Sequence, residues 1–291
     1  MRQCVDLTDR GKMINALSVD LEHWWCNEFL RDYLPEKSES CLTESLQLLL
    51  DVLNNYNTRA TFFVLGTVAE EFPDSVETIY SEGHEVASHG YSHTLLAELG
   101  RERFDAEMKH CVKQLHHIVH ETPRGFRSPC FSLTNDTRWA LEVLEKHGFT
   151  FDSSIYPISA RLYGVPHAPL EPYYPSREDV AIEDANQNGR VIEFPLTAVK
   201  VFGQNIPISG GFYLRVLPFS FVQWGLRKVN ETRPAMIYVH PWEMNSNIPR
   251  VNAPMLSRFE AYHGIGSNLK KLKALVREFH FAPIGEVLDE I

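Results

Sequence analysis

Apolar residues along the chain follow two alternating spacings, one typical of buried strands and one typical of amphipathic helices. Apolar, β-rich runs occur at residues 13–20, 60–66 and 235–241, as expected for strands of a parallel sheet that is covered on both faces. Between such runs, apolar positions recur every three or four residues, most clearly over 101–121. The pattern therefore predicts strands that alternate with helices.

The full set of predicted elements follows the same alternation. Further strands are predicted at 84–90, 124–128, 149–155, 191–196 and 279–283. Helices are predicted at 42–53, at 67–82 with Gly83 as its C-terminal cap, at 101–121, from Thr134 or Asn135 to Gly148, at 218–230 and at 267–279. Strands joined by crossover helices predict an α/β barrel, and chemistry in such barrels belongs at the carboxyl ends of the strands.

Residues 157–190 do not fit this alternation. They are rich in Pro, Tyr, Asp and Asn and carry no clear period. A loop of this length is more often a lid or a binding loop than a spacer, but an exposed insertion without a role is an equal alternative.

Composition narrows the class of protein. The chain has 291 residues and a formal net charge of −10, which argues against binding to nucleic acid or to an anionic membrane surface. The first twenty residues do not form a signal peptide, and no apolar stretch is long enough to span a bilayer. Five cysteines at irregular spacings indicate reduced thiols: Cys4, Cys26, Cys41, Cys111 and Cys130. We expect a cytoplasmic protein without a transmembrane segment.

Two carboxylates end the first predicted strand. Asp20 and Glu22 are two residues apart, so on a strand their side chains point to the same face. Their charges repel each other, and a metal ion or a nearby cation would stabilise them. Considered alone, the pair fits a solvated edge at least as well.

Two histidines follow the strand at 84–90. His89 and His93 lie four residues apart, on a helical face or a tight turn, and imidazoles with a carboxylate suit a cation such as Zn²⁺. Gly90 stands where a zinc protease motif has Glu. His116 and His120 have the same spacing, but no carboxylate partner is placed near them, so we interpret them as surface residues of a helix.

Three further predicted strands end in polar or ionisable groups. Arg127 could lie at the surface, or it could pair with Asp20 and hold that carboxylate ionised. The backbone N–H of Cys130, stiffened by the preceding proline, could face a developing oxyanion. Asp152 and His240 end two more strands. Each residue alone is more often structural, but the convergence of five strand ends indicates an active site.

These motifs, in this order, resemble the polysaccharide deacetylase family, the NodB-homology or carbohydrate esterase family 4 group. The resemblance is carried by ATFFVLG, GHEVASHGYSH, RSP, FDSS and VHP, and it covers residues 13–155 and 235–245. The remainder resembles a subfamily associated with exopolysaccharide export and exosortase genes. The resemblance implies a distorted (β/α) barrel and one deacetylase domain over 1–291, with a NodB-homology core at 13–155 and a C-terminal part at 156–291 that completes the barrel.

The resemblance also implies roles for individual residues. Asp20 would be the general base with Arg127 as its partner, and His240 would be the general acid, oriented by Asp152. His89 and His93 would bind a divalent metal, most simply Zn²⁺.

The third metal ligand is where this sequence departs from the family. Most members have two adjacent Asp residues in the first motif, but here Leu21 follows Asp20, and Glu22 fits the version with one intervening residue. Cys130 stands where many members have an aromatic residue, and Phe131 could replace that aromatic wall.

The implied reaction is hydrolysis of an N-acetyl group on an amino-sugar polymer or its lipid-linked precursor, at the inner face of the membrane if the precursor is the substrate. Trp24 and Trp25, and less strongly Trp242, could stack on sugar rings or be ordinary core residues. From the subfamily resemblance alone, Gly210, Gly211, Tyr213 and Arg215 would close the substrate groove.

Two other functions remain open at this point. One is another amide hydrolase on the same scaffold, acting on a ring amide or a formyl group. The other is a catalytically silent carbohydrate-binding protein. A complete set of base, acid and ligands favours the deacetylase.

Overall fold

Eight parallel strands form one curled sheet, in which the first strand pairs with three others. The computed structural model describes residues 13–160, 163–186 and 190–291. The strands of the sheet are β1 (Ile14–Leu21), β2 (Thr61–Val64), β3 (Glu85–Ser88), β4 (Gly125–Phe126), β5 (Phe151–Asp152), β6 (Ile192–Glu193), β9 (Met236–Val239) and β10 (His280–Ala282). β7 (Ala198–Val201) and β8 (Gln204–Pro207) form a separate antiparallel hairpin.

The strand order is β9-β1-β2-β3-β4-β5-β6, and β10 pairs with the first residues of β1. The segment after the hairpin approaches β9: the backbone N–H of Tyr238 donates to Ser209 O at 2.7 Å, and Gly210 forms a parallel bridge with Tyr238. Only glycine fits at 210, because a Cβ there would lie 1.8 Å from Tyr238 O. The distorted barrel implied by the sequence is therefore confirmed as a curled parallel sheet.

Eleven helices within the described ranges surround the sheet: α1 (Leu42–Asn55), α2 (Gly66–Glu71), α3 (Pro73–Ser81), α4 (Leu96–Leu99), α5 (Arg101–Val119), α6 (Trp139–Lys146), α7 (Gly211–Val216), α8 (Phe219–Val229), α9 (Met255–Tyr262), α10 (Ile265–Glu278) and α11 (Ile284–Asp289). Short 3-10 turns lie at Trp24–Cys26, Glu28–Tyr33, Pro129–Phe131, Asn135–Thr137 and Pro241–Met244.

The alternation of side chains along β1 decides which residues can serve a site. Leu17, Val19 and Leu21 belong to the largest apolar cluster, which also contains residues of α1, α8 and α10. Ala16 belongs to a different cluster, with Phe63, Phe151 and Tyr238. Since side chains alternate between faces, Ser18 and Asp20 share the face of Ala16. Asp20 therefore points to the inside of the curled sheet.

One predicted helix is divided in the structure. The segment 67–82 forms α2 and α3, which are separated at Phe72, where φ is −130° and ψ is 56°. The prediction of a single helix was wrong because Pro73 lacks an N–H and disfavours helical geometry in the residue before it. Gly83 has a φ of +84°, as expected for a C-terminal cap.

Short elements were predicted too long or not at all. The strands expected at 124–128 and 149–155 are only two residues long, and the hairpin β7–β8 and the helices α4, α7, α9 and α11 had no clear period. Elements of eight residues or fewer show too few repeats for a spacing to be recognised.

The segment 157–190 is not an exposed insertion over its described part. Ile158, Val165, Tyr173 and Val180 are each at most 8% exposed and pack into the apolar clusters. Tyr163 lines the cleft described below. This segment therefore belongs to the core and to one wall of the cleft.

Four cysteines, Cys26, Cys41, Cys111 and Cys130, are free, in agreement with the predicted thiols. Cys4 and the N-terminal segment lie outside the described residues. No helix of the described ranges is both long and apolar enough to cross a membrane.

Candidate active site

A cleft of about 100 Å³ lies where β1, β3, β4 and β9 end. Asp20, Glu22, His89, His93 and His240 all line it. Six aromatic residues from distant parts of the chain also line it: Phe29, Phe131, Tyr163, Phe212, Tyr238 and Trp242. The structure thus brings together five of the ionisable residues that the sequence placed at strand ends.

Three of these residues form a group with the donor set of a metal site. Glu22 Oε2 lies 2.7 Å from His93 Nε2 and 3.5 Å from His89 Nε2. One ligand atom from each of the three residues lies within 4.8 Å of the others. His89 Nε2 is buried, and within the described ranges it has no hydrogen-bond partner. A buried ring nitrogen without a partner, facing a carboxylate and a second imidazole, fits a divalent cation.

The two histidines are brought together by a turn and not by a helix. Gly90 has a φ of +79° and His93 a φ of +55°, so the chain reverses immediately after β3. Ser88 Oγ accepts a hydrogen bond from the Gly90 N–H at 3.3 Å. Of the two geometries that the four-residue spacing allowed, the structure has the tight turn.

His89 is held by its other ring nitrogen. Nδ1 lies 2.9 Å from the backbone oxygen of Arg127, a geometry in which Nδ1–H donates and Nε2 presents its lone pair to the cleft. Burial would raise the pKa of Glu22, but His93, His89 and His240 together hold it well below its usual value. Glu22 is therefore an anion with two imidazole neighbours.

Asp20 is paired with a fully buried arginine. Arg127 Nη1 donates to Asp20 Oδ1 at 2.7 Å and to Ser18 Oγ at 2.9 Å. The rest of the guanidinium is fixed by Ser153, whose backbone oxygen and Oγ each accept a hydrogen bond at 2.9 Å, and it lies over the Phe63 ring. The structure thus has Arg127 beside Asp20 and not at the surface.

His240 faces these two carboxylates from the opposite side of the cleft. Its Nε2 lies 3.8 Å from Asp20 Oδ2 and 3.6 Å from Glu22 Oε1. Its Nδ1 lies 3.1 Å from Glu243 Oε2. Burial would lower the pKa of His240, but Glu243, Glu22 and Asp20 outweigh it and raise that pKa to about 9.

Asp152 does not orient His240, so that prediction was wrong. Asp152 accepts a hydrogen bond from Ser154 Oγ at 2.5 Å and is in hydrogen-bond contact with Glu193 on the neighbouring strand. Burial raises the pKa of Asp152, and burial and the Asp152 charge raise the pKa of Glu193 well above its usual value. The two carboxyls thus form a buried pair in which protonation is favoured.

Glu243 takes the place behind His240 and was missed in the sequence. It belongs to the turn Pro241–Met244, and it is fully buried against Arg215. The available signal was its position three residues after His240, the spacing at which a Glu side chain reaches back to the N-cap of a helical turn. Its Oε2 accepts the His240 N–H at 3.0 Å.

Cys130 lies in a strained loop at the edge of the cleft. Cys130 and Phe131 have φ values of +51° and +52°, a region that few residues other than glycine adopt. Burial raises the pKa of the Cys130 thiol, so it stays protonated. Phe131 lines the cleft, as does Cys130.

The predicted sugar-stacking residues separate into two groups. Trp24 is 2% exposed, donates from Nε1 to Glu39 O and packs with Leu30, so of the two alternatives it fits ordinary core packing. Trp242 is 4% exposed and lies against His240. Trp25 is partly exposed, stacks on His23 at 4.0 Å and lines a groove of about 430 Å³ that also contacts His93.

The predicted groove-closing residues are also divided. Arg215 lines the cleft, but it is 4% exposed and its Nε is bonded to Glu243. Tyr213 packs against Tyr156 and Tyr163 and does not line the cleft, whereas its neighbour Phe212 does. Tyr213 is half-buried against these tyrosines, and its contact with substrate stays a prediction.

The fold and the site together define a class of protein. It is an α/β protein with a candidate metal centre at the carboxyl ends of its strands. Residues 32–151 match the family model described as polysaccharide deacetylase. Residues 153–289 match a second model, described as a domain of unknown function, DUF3473. Over residues 32–151 the chain is therefore similar to the polysaccharide deacetylase family, in line with the resemblance seen in the sequence.

Similar proteins support the same assignment. A peptidoglycan-N-acetylglucosamine deacetylase of Bacillus cereus is 36% identical over 95 residues, which cover 32% of this chain and 34% of that protein. The chain spans only about a third of the length of such relatives.

Solved structures that resemble the chain show its fold alone. A Mycobacterium smegmatis protein designated a polysaccharide deacetylase superposes with a TM-score of 0.61 at 15% identity, covering 99% of this chain and 92% of that one. An allantoinase superposes with a TM-score of 0.60 at 14% identity, covering 95% and 89%.

Proposed function

We propose that the protein is a metal-dependent deacetylase that removes N-acetyl groups from amino sugars in a polysaccharide or in its lipid-linked precursor. The observation that carries this proposal is the arrangement of Glu22, His89 and His93 as one group, with Asp20 and His240 beside it. His240 Nε2 lies within 4 Å of carboxylate oxygens of both Asp20 and Glu22.

Glu22, His89 and His93 are the residues that would hold the cation, and one carboxylate with two imidazoles suits Zn²⁺. Bound there, a divalent cation would supply Lewis acidity for water and for the acetyl oxygen. Three protein ligands leave positions free for these two groups, as in other catalytic sites.

Asp20 is the general base in this proposal. Arg127 occupies Oδ1, so Oδ2 is the oxygen that faces the cleft and can accept the proton of the attacking water. The Cys130 N–H is proposed to donate to the oxyanion, a contact typically worth about 3 kcal/mol.

His240 is the general acid. Cleavage of an amide requires protonation of the leaving nitrogen, and an imidazolium at the mouth of the cleft can deliver that proton from Nε2. The pKa of about 9 that its carboxylate neighbours favour keeps His240 protonated at neutral pH. The proton moves to the amine nitrogen as the carbon–nitrogen bond breaks, and acetate and a free amino sugar are released.

The size of the cleft supports a small acyl group on a larger substrate. A volume of about 100 Å³ is well below the roughly 300–1,000 Å³ of pockets that enclose whole ligands. An acetamido group can enter, while the sugar ring stays at the rim, where Trp25 offers a partly exposed ring. An exopolysaccharide substrate and a cytoplasmic location stay predictions from the sequence.

The test is acetate release from N-acetylglucosamine oligomers and from lipid-linked acetyl sugars, together with elemental analysis. We expect one equivalent of bound metal and loss of acetate release with a chelator. Hydrolysis of ring amides or formyl groups without bound metal would favour the other amide hydrolase. Sugar binding without acetate release, in a protein that contains metal, would favour the carbohydrate-binding protein.

A further inference from the structure

A second buried ion pair lies directly behind His240. Arg215 Nε donates to Glu243 Oε1 at 2.7 Å, and the two side chains are 2% and 0% exposed. The other carboxylate oxygen, Oε2, lies 3.1 Å from His240 Nδ1 and accepts the His240 backbone N–H at 3.0 Å. One carboxylate is therefore placed between a guanidinium and the imidazole.

The arginine is itself held on all sides. Its Nη1 donates to His263 O at 2.6 Å and its Nη2 to Glu260 O at 2.8 Å, both at the C-terminal end of α9. Arg215 belongs to α7, and Glu243 belongs to the turn that follows β9. The pair thus connects α7 and α9 to the strand end that presents His240.

A structural role alone does not account well for this pair. Buried ion pairs are weak contributors to stability, because desolvation of the two charges offsets their attraction. A carboxylate oxygen 3.1 Å from Nδ1, in contrast, attracts the charged imidazolium and favours the ring orientation in which Nε2 faces the cleft. Trp242, which stacks on the imidazole at 5.1 Å, restricts the same ring from one face.

We propose that Glu243 is a positioning residue for His240 and that Arg215 holds Glu243 in place. The inference rests on the proposed deacetylase function and deepens it. It also gives a role to residues 153–289, the region matched by the model of unknown function, because this region supplies the acid and the two residues that orient it.

The leaving group of the substrate separates positioning from general structural support. An N-acetyl sugar needs a proton on its leaving nitrogen, whereas 4-nitrophenyl acetate releases a good leaving group that needs none. For Glu243→Gln we expect kcat on N-acetylglucosamine oligomers to fall on the order of 10²-fold with KM unchanged. The kcat on 4-nitrophenyl acetate should stay within about twofold of the wild-type value.

Two further variants complete the test. Arg215→Lys keeps the charge but not the three fixed N–H directions, so we expect the same selective loss at a smaller size. Glu142→Gln is the matched control, because it changes an exposed glutamate that pairs with Arg101 outside the cleft. We expect its kcat values on the oligomers and on 4-nitrophenyl acetate to be unchanged.

Equal losses on both substrates in Glu243→Gln, or no loss on either, would overturn the positioning role. If Glu243→Gln does not fold, as seen by circular dichroism, the same two outcomes are scored on Arg215→Lys. Failure of the proposed function is distinct, because wild-type protein would then release no acetate from any amino sugar.

Discussion

Two buried arginine–carboxylate pairs stand on opposite sides of the cleft, and they are alike in nearly every measure. Asp20 with Arg127, and Glu243 with Arg215, each have an N–O distance of 2.7 Å. All four residues are at most 4% exposed. In both pairs the guanidinium is further fixed by backbone carbonyl oxygens.

The pairs differ in what the second carboxylate oxygen faces. Asp20 Oδ2 faces the cleft, whereas Glu243 Oε2 faces the ring and the backbone N–H of His240. The same ion pair can therefore serve a group that meets the substrate or a group that only orients another. Charge and burial do not distinguish these roles, and the direction of one oxygen does.

The largest expected effect comes from the carboxylate that faces the substrate. Asp20→Asn should lower kcat on the order of 10³-fold, because the proposed general base is lost while the proposed metal ligands remain. Metal content, measured by elemental analysis, should be unchanged. His89→Ala is the contrasting variant, with both metal and turnover lost. Near-normal turnover in Asp20→Asn would refute its role as base.

Removal of each arginine should affect stability equally and turnover unequally. Arg127→Met and Arg215→Met each remove the arginine partner of a buried carboxylate, so we expect the free energy of unfolding to fall by about 3–5 kcal/mol in each. Turnover should fall further in Arg127→Met, whose partner is the proposed base. Arg101→Met, in an exposed pair, should lose no more than about 1 kcal/mol. Urea denaturation and initial rates provide both measurements.

Glu193 is a third buried carboxyl to compare with Asp20 and Glu243. Its neighbour is the carboxyl of Asp152 and not an arginine. The pKa of Glu193 is raised in the folded state, so the folded protein retains a proton that the unfolded chain releases above about pH 4.5. The stabilisation is complete below that pH and is lost as the pH rises towards the folded pKa, by up to about 1.4 kcal/mol per pH unit.

Glu193→Gln should remove this slope and be more stable than the wild type at neutral pH. The measurement is urea denaturation, repeated at intervals of roughly one pH unit between about pH 4 and pH 8. An unchanged slope in Glu193→Gln would show that the pair holds no proton.

The smallest effect should come from a residue outside all three carboxyl sites. Trp25→Ala should raise KM for oligomers severalfold and leave kcat and the rate on 4-nitrophenyl acetate unchanged, since only the sugar chain would contact the ring. Leu48→Ala, at an exposed position of α1, is the control with no change. A fall in kcat without a change in KM would argue against a stacking role.

The sequence predicted the strand ends well, because each catalytic candidate follows an apolar run. Asp20, Glu22, His89, His93, Arg127 and His240 all lie at one end of the sheet for that reason. The contacts among these residues were harder to predict from the sequence. Asp152 ends a strand in the same way as His240, but β5 lies four strands away from β1, and Asp152 meets Glu193 instead.

Other features depended on information that local spacing does not carry. Glu243 is close to His240 through a short turn, and its partner Arg215 comes from a helix too short to be recognised. Trp24 and Trp25 are adjacent in sequence, but one packs in the core and the other on a rim. Only the packing of distant segments decides such cases.

The position of β1 has a consequence for how the chain reaches its native state. β1 pairs with β2 along one edge, but its pairing with β9 begins at Ala16 and Met236. During synthesis the edge of β1 that pairs with β9 stays unpaired until the ribosome has added β9, which lies much later in the chain. Such long-range pairing slows folding and exposes the intermediate to aggregation, so assistance by chaperones should raise the yield of native protein.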